Sequence, residues 1–395
     1  MGRNIDLDSA YNISKYDYDS IQKRSSVTQW DILFSMIGSV GEVYLEKNNR
    51  IPYAIKNIGV FSCGDEYKAK WLYYFFQSPI AKTHIKRYLS GAVQKFLPLG
   101  ALRSFPVPEY SNANKPMIKL LSNLDKKIEL NNKINQKLEA MAKMIYDYWF
   151  VQFDFPDANG KPYKSSGGKM VYNEELKREI PEGWGVDSLW NIADYFNGLA
   201  MQKHRPTDHN NRLPVIKIKE MNEGFSDKTE WAKSDIPKEA IVENGDVLFS
   251  WSATLKVMLW TQGRGALNQH IFKVTSSKYP KTFYYFELKN YLHHFIMMAE
   301  KRKTTMGHIT QDHLKDSYIV IPPKNLIESM DKKLSPLLEK QILLEEENHK
   351  LSQLRDWLLP MLMNGQVKVS DVVEMVTDLL MAAEPKVKYG ASKSQ

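Results

Sequence analysis

The sequence predicts an α/β (α+β) chain: two globular domains separated by two long helices that pair as a coiled coil, with pseudo-two-fold symmetry. Three observations predict it. Residues 30–150 and 245–362 repeat one plan of strand, basic loop, aromatic helix, basic loop, short apolar strand and long leucine-rich helix. Two of those segments carry apolar residues every seven positions, the pattern of a coiled-coil seam. The bulk composition, 43% apolar and 25% charged over 395 residues, is that of a folded protein long enough for two or three domains.

The repeat holds at an offset of about 211 to 215 residues. Trp30-Asp31-Ile32-Leu33-Phe34-Ser35 lines up with Gly245-Asp246-Val247-Leu248-Phe249-Ser250, and Trp71-Leu72-Tyr73-Tyr74-Phe75 with Phe283-Tyr284-Tyr285-Phe286. Pro106-Val107-Pro108 answers Val320-Ile321-Pro322, and Asn135 answers Asn348. In the first globular stretch, 1–112, residues 28–36 alternate as a strand closed by Gly38 and Gly41, and 68–87 have helical spacing. Two prolines make 105–108 an edge strand or an extended exit.

The first long helix falls within 113–155, with seam residues Leu121, Leu124, Ile128, Leu138, Ala142, Ile145 and Trp149, interrupted by Asn131 and Asn135. The second falls within 327–366 and ends near Pro360, with rows Leu337, Leu344, Leu351, Leu358 and Leu334, Gln341, Asn348, Arg355. An Asn buried in a seam fixes register at a cost in stability. Each helix of about 33 residues spans ~50 Å, roughly one and a half turns of B-DNA. Between them, 156–184 reads as an irregular connector rich in Lys, Gly and Pro. The second globular stretch is 185–326, with strands expected at 214–218, 246–251 and 318–321, and 367–395 is a tail with one short helix at 371–381.

Lys plus Arg exceed Asp plus Glu by 54 to 46, giving +8, and the pI is near 9.1. That balance favours an acidic partner such as nucleic acid. A single cysteine, Cys63, excludes an intramolecular disulfide and fits a reducing cytoplasm. The N-terminus lacks the apolar core of a signal peptide, and no apolar run reaches the ~18 residues of a membrane span. A cytoplasmic protein without membrane attachment is expected.

The sequence carries no Gly-rich phosphate loop, no dinucleotide fingerprint, no nucleophile elbow and no metal-ligand spacing among its nine histidines. Ile321-Pro322-Pro323-Lys324 lacks the flanking residues of an adenine-methyltransferase motif. A binding protein is expected, with no catalytic residue, metal or cofactor of its own. Its candidate DNA contacts recur in corresponding loops. In copy one these are Ser39, Lys56, Asn57, Gln94 and Lys95; in copy two they are Lys203, His204, Arg205, Lys217, Lys219, Trp251, Ser252, Asn268, Gln269, His270, Lys303, Thr304, Thr305 and His308. Asn and Gln suit adenine, Lys and Arg suit guanine or phosphate, and Ser and Thr are versatile. The aromatic stretches at 71–76 and 283–286 read as core, with stacking platforms for single strands as the alternative. The stretch 149–155 caps the coil or docks a partner.

Lys137-Leu138-Glu139-Ala140-Met141-Ala142 leading into Tyr148-Trp149-Phe150-Val151-Gln152-Phe153-Asp154-Phe155, together with Ile180-Pro181-Glu182-Gly183-Trp184, Gly245 to Ser250 and Thr305-Met306-Gly307-His308-Ile309-Thr310, resembles the specificity subunit of type I restriction-modification enzymes. The resemblance runs from residue 1 to about 366. It implies two α/β target recognition domains, each reading half of a split double-stranded DNA site, separated by two long helices that pair as an antiparallel coiled coil and set the spacer. It implies two partner methyltransferase subunits that use S-adenosylmethionine, restriction/translocase subunits, and no catalysis in this chain. It places Leu138, Met141, Ile145, Leu351 and Leu358 in the pairing seam, and makes 149–155 a candidate methyltransferase interface. Copy one lacks a counterpart of residues 185–215, so either its start lies upstream or its recognition domain is shortened. A coiled-coil assembly protein that does not read DNA is the alternative function.

Overall fold

The computed structural model describes residues 5–7, 9–91, 95–208, 210–301 and 308–372. Its contacts divide the chain into two compact units, one formed by residues 1–128 with 351–395 and the other by 129–350.

In the first unit, helix α1 (Lys15–Ser25) precedes strands β1 (Asp31–Ser35), β2 (Val43–Leu45) and β3 (Ile58–Ser62), which form an antiparallel sheet in the order β2-β1-β3. The first strand is shorter than the alternation suggests. Asp31 Oδ2 accepts the Thr28 amide at 2.8 Å, and Trp30 takes φ +69°, so the chain turns before it extends. The single helix expected at 68–87 is two, α2 (Glu66–Gln77) and α3 (Pro79–Tyr88). Ser78 is extended, its hydroxyl accepts from the Ala81 amide, and Pro79 opens the next helix, where its missing N–H costs nothing. After α4 (Leu99–Arg103), Pro106-Val107-Pro108 forms no strand.

Helix α5 (Lys115–Tyr146) follows and closes in a π-turn at Asp147–Val151. In the first unit its Leu121 and Leu124 pack with Leu358, Leu359 and Leu362, in one core with Phe34, Trp71 and Phe76. The aromatic helix is therefore core, since Trp71, Leu72, Tyr73, Tyr74, Phe75 and Phe76 are all buried. Burying one such side chain contributes about 1.5–3 kcal/mol. Arg355, on the row predicted to face inward, is 4% exposed and donates to Asp125 at 3.0 Å, which also accepts from the Tyr74 hydroxyl at 2.8 Å.

The second unit begins in α5. The supposed connector contains a hairpin, β4 (Met170–Asn173) with β5 (Arg178–Pro181). Then come β6 (Gly185–Ser188), α6 (Leu189–Ile192), β7 (Asp194–Asn197), β8 (Arg212–Ile216), α7 (Ile218–Glu223), β9 (Trp231–Lys233), β10 (Ile241–Val242), β11 (Val247–Ser250), β12 (Lys256–Leu259), β13 (Gly265–Leu267), β14 (Ile271–Thr275), α8 (Lys281–Lys301), α9 (Gln311–Lys315) and β15 (Tyr318–Ile321). Helix α10 (Lys324–Met363) runs through Pro336 and past Pro360, beyond the end expected from its leucines. Two four-stranded sheets result, β12-β11-β14-β7 and β10-β13-β8-β9, and β15 pairs with β6.

Within this unit the two long helices run antiparallel. Asn348 donates to Asn132 at 2.8 Å, Asn135 donates to Glu345 at 2.7 Å, and Asn131 donates to Glu347 and Asn348 at 2.8 and 3.0 Å. The 213-residue step from Asn135 to Asn348 also takes Asn132 to Glu345, so the first two bonds are one contact made twice. Asn348 therefore meets the region of Asn131 and Asn132, while Asn135, its repeat equivalent, meets Glu345. Among the pairing residues, Leu124, Ile128, Asn135, Leu344, Asn348 and Leu358 are buried and Leu138, Ile145, Leu337 and Leu351 are half-buried. Met141 is 41% exposed and does not belong to the seam.

Trp149, Phe150, Phe153 and Phe155 are buried, the last three against Trp184, so this stretch is core and its aromatic rings offer no docking surface. No helix among the described residues is long and apolar enough to cross a membrane. The tail helix expected at 371–381 lies outside the described residues from 373 on.

Candidate nucleic-acid interface

In both units the same devices hold the loops that leave the first repeat strand. Ser35 Oγ donates to the Ser39 carbonyl at 2.5 Å, and Ser250 Oγ to the Thr254 carbonyl at 2.5 Å. Asp31 Oδ2 accepts the Thr28 amide and Asp246 Oδ2 accepts the Glu243 amide, at 2.8 and 2.9 Å. A residue with positive φ precedes each strand, Trp30 at +69° and Gly245 at +86°, and another precedes the strand that pairs with it, Asn57 at +59° and His270 at +77°. Register places the loops together. Ser35 faces Ile58 and Ser250 faces Ile271, so the 36–42 loop meets 56–57 in one unit and the 251–255 loop meets 268–270 in the other.

In copy two the cluster is built around Trp251. Its indole N–H donates to Asn197 Oδ1 at 3.0 Å, and its ring lies 5.0 Å from that of His270 and 5.8 Å from that of His308. Its carbonyl accepts the Ile309 amide at 2.8 Å, which ties down the loop carrying His308. Asn268 donates its amide to the Ile216 carbonyl, and Gln269 to the Leu199 carbonyl at 2.8 Å, so their side chains leave a fixed backbone. Gly198 is required here, because a Cβ would stand 2.1 Å from the Asn268 carbonyl oxygen. His270 Nδ1 and His204 Nδ1 are buried with no hydrogen-bond partner among the described residues. Such buried polar atoms are costly unless a ligand, an ion or a water supplies the missing bond.

Lys203 and Arg205 are exposed on either side of His204, whose carbonyl accepts the Lys233 amide at 2.8 Å. That bond joins the basic loop to the edge strand β9, where the Arg212 guanidinium lies 4.1 Å over the half-open ring of Trp231. Asn197, Arg212 and Trp231 belong to this surface and are not among the sequence candidates; the stacked pair has no local signal. Lys217 pairs with Glu230 at 2.5 Å and Lys219 lies 3.9 Å from Glu223. Exposed pairs of this kind are worth about 0–1 kcal/mol, so a phosphate can displace the acid. Ser252 is 5% exposed and its side chain is not presented to solvent.

In copy one, Ser39, Lys56, Asn57 and Lys95 are exposed. Lys95 is carried to the same sheet end by Phe96, which bridges to Ile37 and Ser90. Gln94, Lys303, Thr304 and Thr305 lie outside the described residues.

The family model described as the type I restriction modification DNA specificity domain matches residues 4–140 and 181–353. The chain belongs to this family. The family assigns it DNA specificity within a type I restriction-modification system, a recognition role and not a catalytic one. A specificity subunit acts in complex with DNA and with other subunits of the system. The two matched segments fall on the two copies of the repeat. The chain is 26% identical over 314 residues to the type I restriction enzyme MjaIX specificity subunit of Methanocaldococcus jannaschii, covering 77% of this chain and 70% of that one. It is 23% identical over 319 residues to the HindI specificity subunit of Haemophilus influenzae, covering 67% and 69%. The crystal structure of a type I restriction-modification system S subunit from M. genitalium shares the fold at TM-score 0.50 and 14% identity, over 85% of this chain and 83% of that one.

Proposed function

We propose that each copy of the repeat reads one half of a split double-stranded DNA site, and that α5 and α10 set the distance between the halves. The observation that carries this reading is the convergence of Trp251, Asn268, Gln269, His270 and His308 at one sheet end, with Lys203 and Arg205 on the neighbouring loop. Asn268, Gln269 and the histidines supply donors and acceptors for base edges, while the lysines and arginines neutralise phosphates. Copy one presents Ser39, Lys56, Asn57 and Lys95 at the equivalent sheet end. Lys217 and Lys219 serve as outlying phosphate contacts. The domain limits we assign are 1–112 and 185–326 for the recognition domains and 113–155 and 327–366 for the helices. Helix α10, with 40 residues, is ~60 Å long at ~1.5 Å per residue.

Two methyltransferase subunits, which bring S-adenosylmethionine, and restriction/translocase subunits assemble on this scaffold. The test is titration of a split-site duplex at several salt concentrations and several spacer lengths. Log affinity is expected to fall linearly with log salt, and affinity to drop when the spacer changes by one base pair. Binding indifferent to both salt and spacer overturns the reading.

A further inference from the structure

The residue that enters β14 holds a backbone conformation uncommon outside glycine. His270 takes φ +77°. The chain around it imposes this from both sides. The His270 carbonyl accepts the Trp251 amide at 3.2 Å, and Gln269 and Gly198 donate their amides to the Leu199 and Ile271 carbonyls at 2.8 and 3.0 Å. The imidazole stands 5.0 Å from the Trp251 ring, and Asn197 Oδ1 fixes that ring by accepting its indole N–H at 3.0 Å. Strained backbone persists where the surrounding structure over-determines it, and it clusters at sites that grip a ligand.

The two nitrogens of the His270 ring are not equivalent. Nδ1 is buried with no hydrogen-bond partner among the described residues, whereas Nε2 is not enclosed. In a neutral imidazole one nitrogen carries the proton and the other a lone pair. A buried N–H without a partner is rarer in proteins than an unmatched acceptor, so the proton belongs on Nε2. Building on the proposal that this cluster reads one half-site, we infer that His270 is a specificity-determining residue that rejects cytosine. It offers the major groove one fixed donor, Nε2–H. Guanine, adenine and thymine each present an acceptor on that edge, whereas cytosine presents only its amino donor. With backbone and ring both held, the donor does not turn away from a mismatched edge.

The test is methylome sequencing of a host that expresses the whole modification complex with the wild-type chain, with His270→Asn or with His270→Gln. Glutamine carries its amide N–H at about the reach of Nε2. Asparagine carries it at the reach of Nδ1, in the enclosed position, and tolerates positive φ. The wild type should yield a split motif with one position, in one half, that excludes cytosine on one strand. His270→Asn should raise methylation of sites bearing cytosine there about tenfold and leave the other half unchanged. His270→Gln should keep such sites excluded. An unchanged motif with His270→Asn, equal relaxation by the two variants, relaxation that does not admit cytosine, or loss of all methylation with His270→Asn overturns the inference; a split wild-type motif would still stand for the two-head reading. A contiguous wild-type motif overturns that reading and the inference with it.

Discussion

Replacing Glu287 by Gln should flatten the pH dependence of stability of the second unit. The Tyr146 hydroxyl, on a side chain fully buried and stacked 5.0 Å from Phe286, donates to Glu287 Oε1 at 2.6 Å. Burial pushes the Glu287 carboxyl up from 4.5 to about 7; the Tyr146 bond and the Arg178 charge pull it down, and the Asp147 charge adds to the rise. An acid with a higher pKa in the folded state holds its proton more tightly there. Its stabilising contribution is complete below the unfolded value and is lost as pH rises through the folded one. At ~1.4 kcal/mol per unit, the interval corresponds to on the order of 3 kcal/mol lost between about pH 4.5 and 7, and to about 2 kcal/mol if solvent relaxes part of it. Glutamine keeps an oxygen for the Tyr146 hydroxyl and carries no charge. Urea unfolding of both proteins near pH 5 and near pH 8 measures the difference. The variant should be the more stable by about 2–3 kcal/mol near pH 8, with the gap closing near pH 5. Equal pH dependence in the two proteins refutes the reasoning.

Trp251→Ala removes the ring that His270 and His308 pack on, and should weaken duplex binding at least tenfold by fluorescence anisotropy; unchanged affinity counts against the cluster as a reading site. Lys203→Ala with Arg205→Ala should reduce the slope of log affinity against log salt by about 0.9 per lost phosphate contact, and an unaltered slope removes both from the interface. Arg355→Ala removes the cation beside Asp125, which keeps the Tyr74 hydroxyl, and should cost about 1–3 kcal/mol in denaturant unfolding, against near-zero cost if the pair is solvated. Asn131→Ala takes a donor from both Glu347 and Asn348 and should cost about 1–3 kcal/mol, visible as a lowered melting temperature.

The parts of the fold that were legible were those with a local signal. Seven-residue spacing disclosed both long helices, because a helix repeats its buried face within a few residues. Strand β1 and its counterpart β11 were legible because Trp30 to Ser35 aligns with Gly245 to Ser250, whereas β2, β3, β12 and β14, which pair with them, carried no alternation long enough to read. Ser78-Pro79 breaks the aromatic helix, and that dipeptide was a readable signal overlooked in favour of periodicity. What was not legible depended on distant partners. The stretch 149–155 looked too apolar for water, yet only the position of Trp184 shows it to be core. The sheet β10-β13-β8-β9 depends on a parallel pairing of Ala266 with Val215, across a separation no local pattern reports. The reading cluster was half visible: the residue types of Asn268, Gln269 and His270 suggested base contacts, but burial of Ser252 and the bond from Trp251 to Asn197 emerged only with the fold. The repeat equivalence of Asn135 and Asn348 was visible too, while their partners depended on helix direction.

Two reading heads on one chain require that methylation follow a single split site. Methylome sequencing of a host with and without the gene, and with the gene carrying Trp251→Ala and His270→Ala, tests it most directly. The expected result is a two-part motif, separated by unspecified bases, whose methylation depends on the gene, and relaxed specificity confined to one half in the variant. A contiguous motif, or a variant that alters both halves equally, would contradict it.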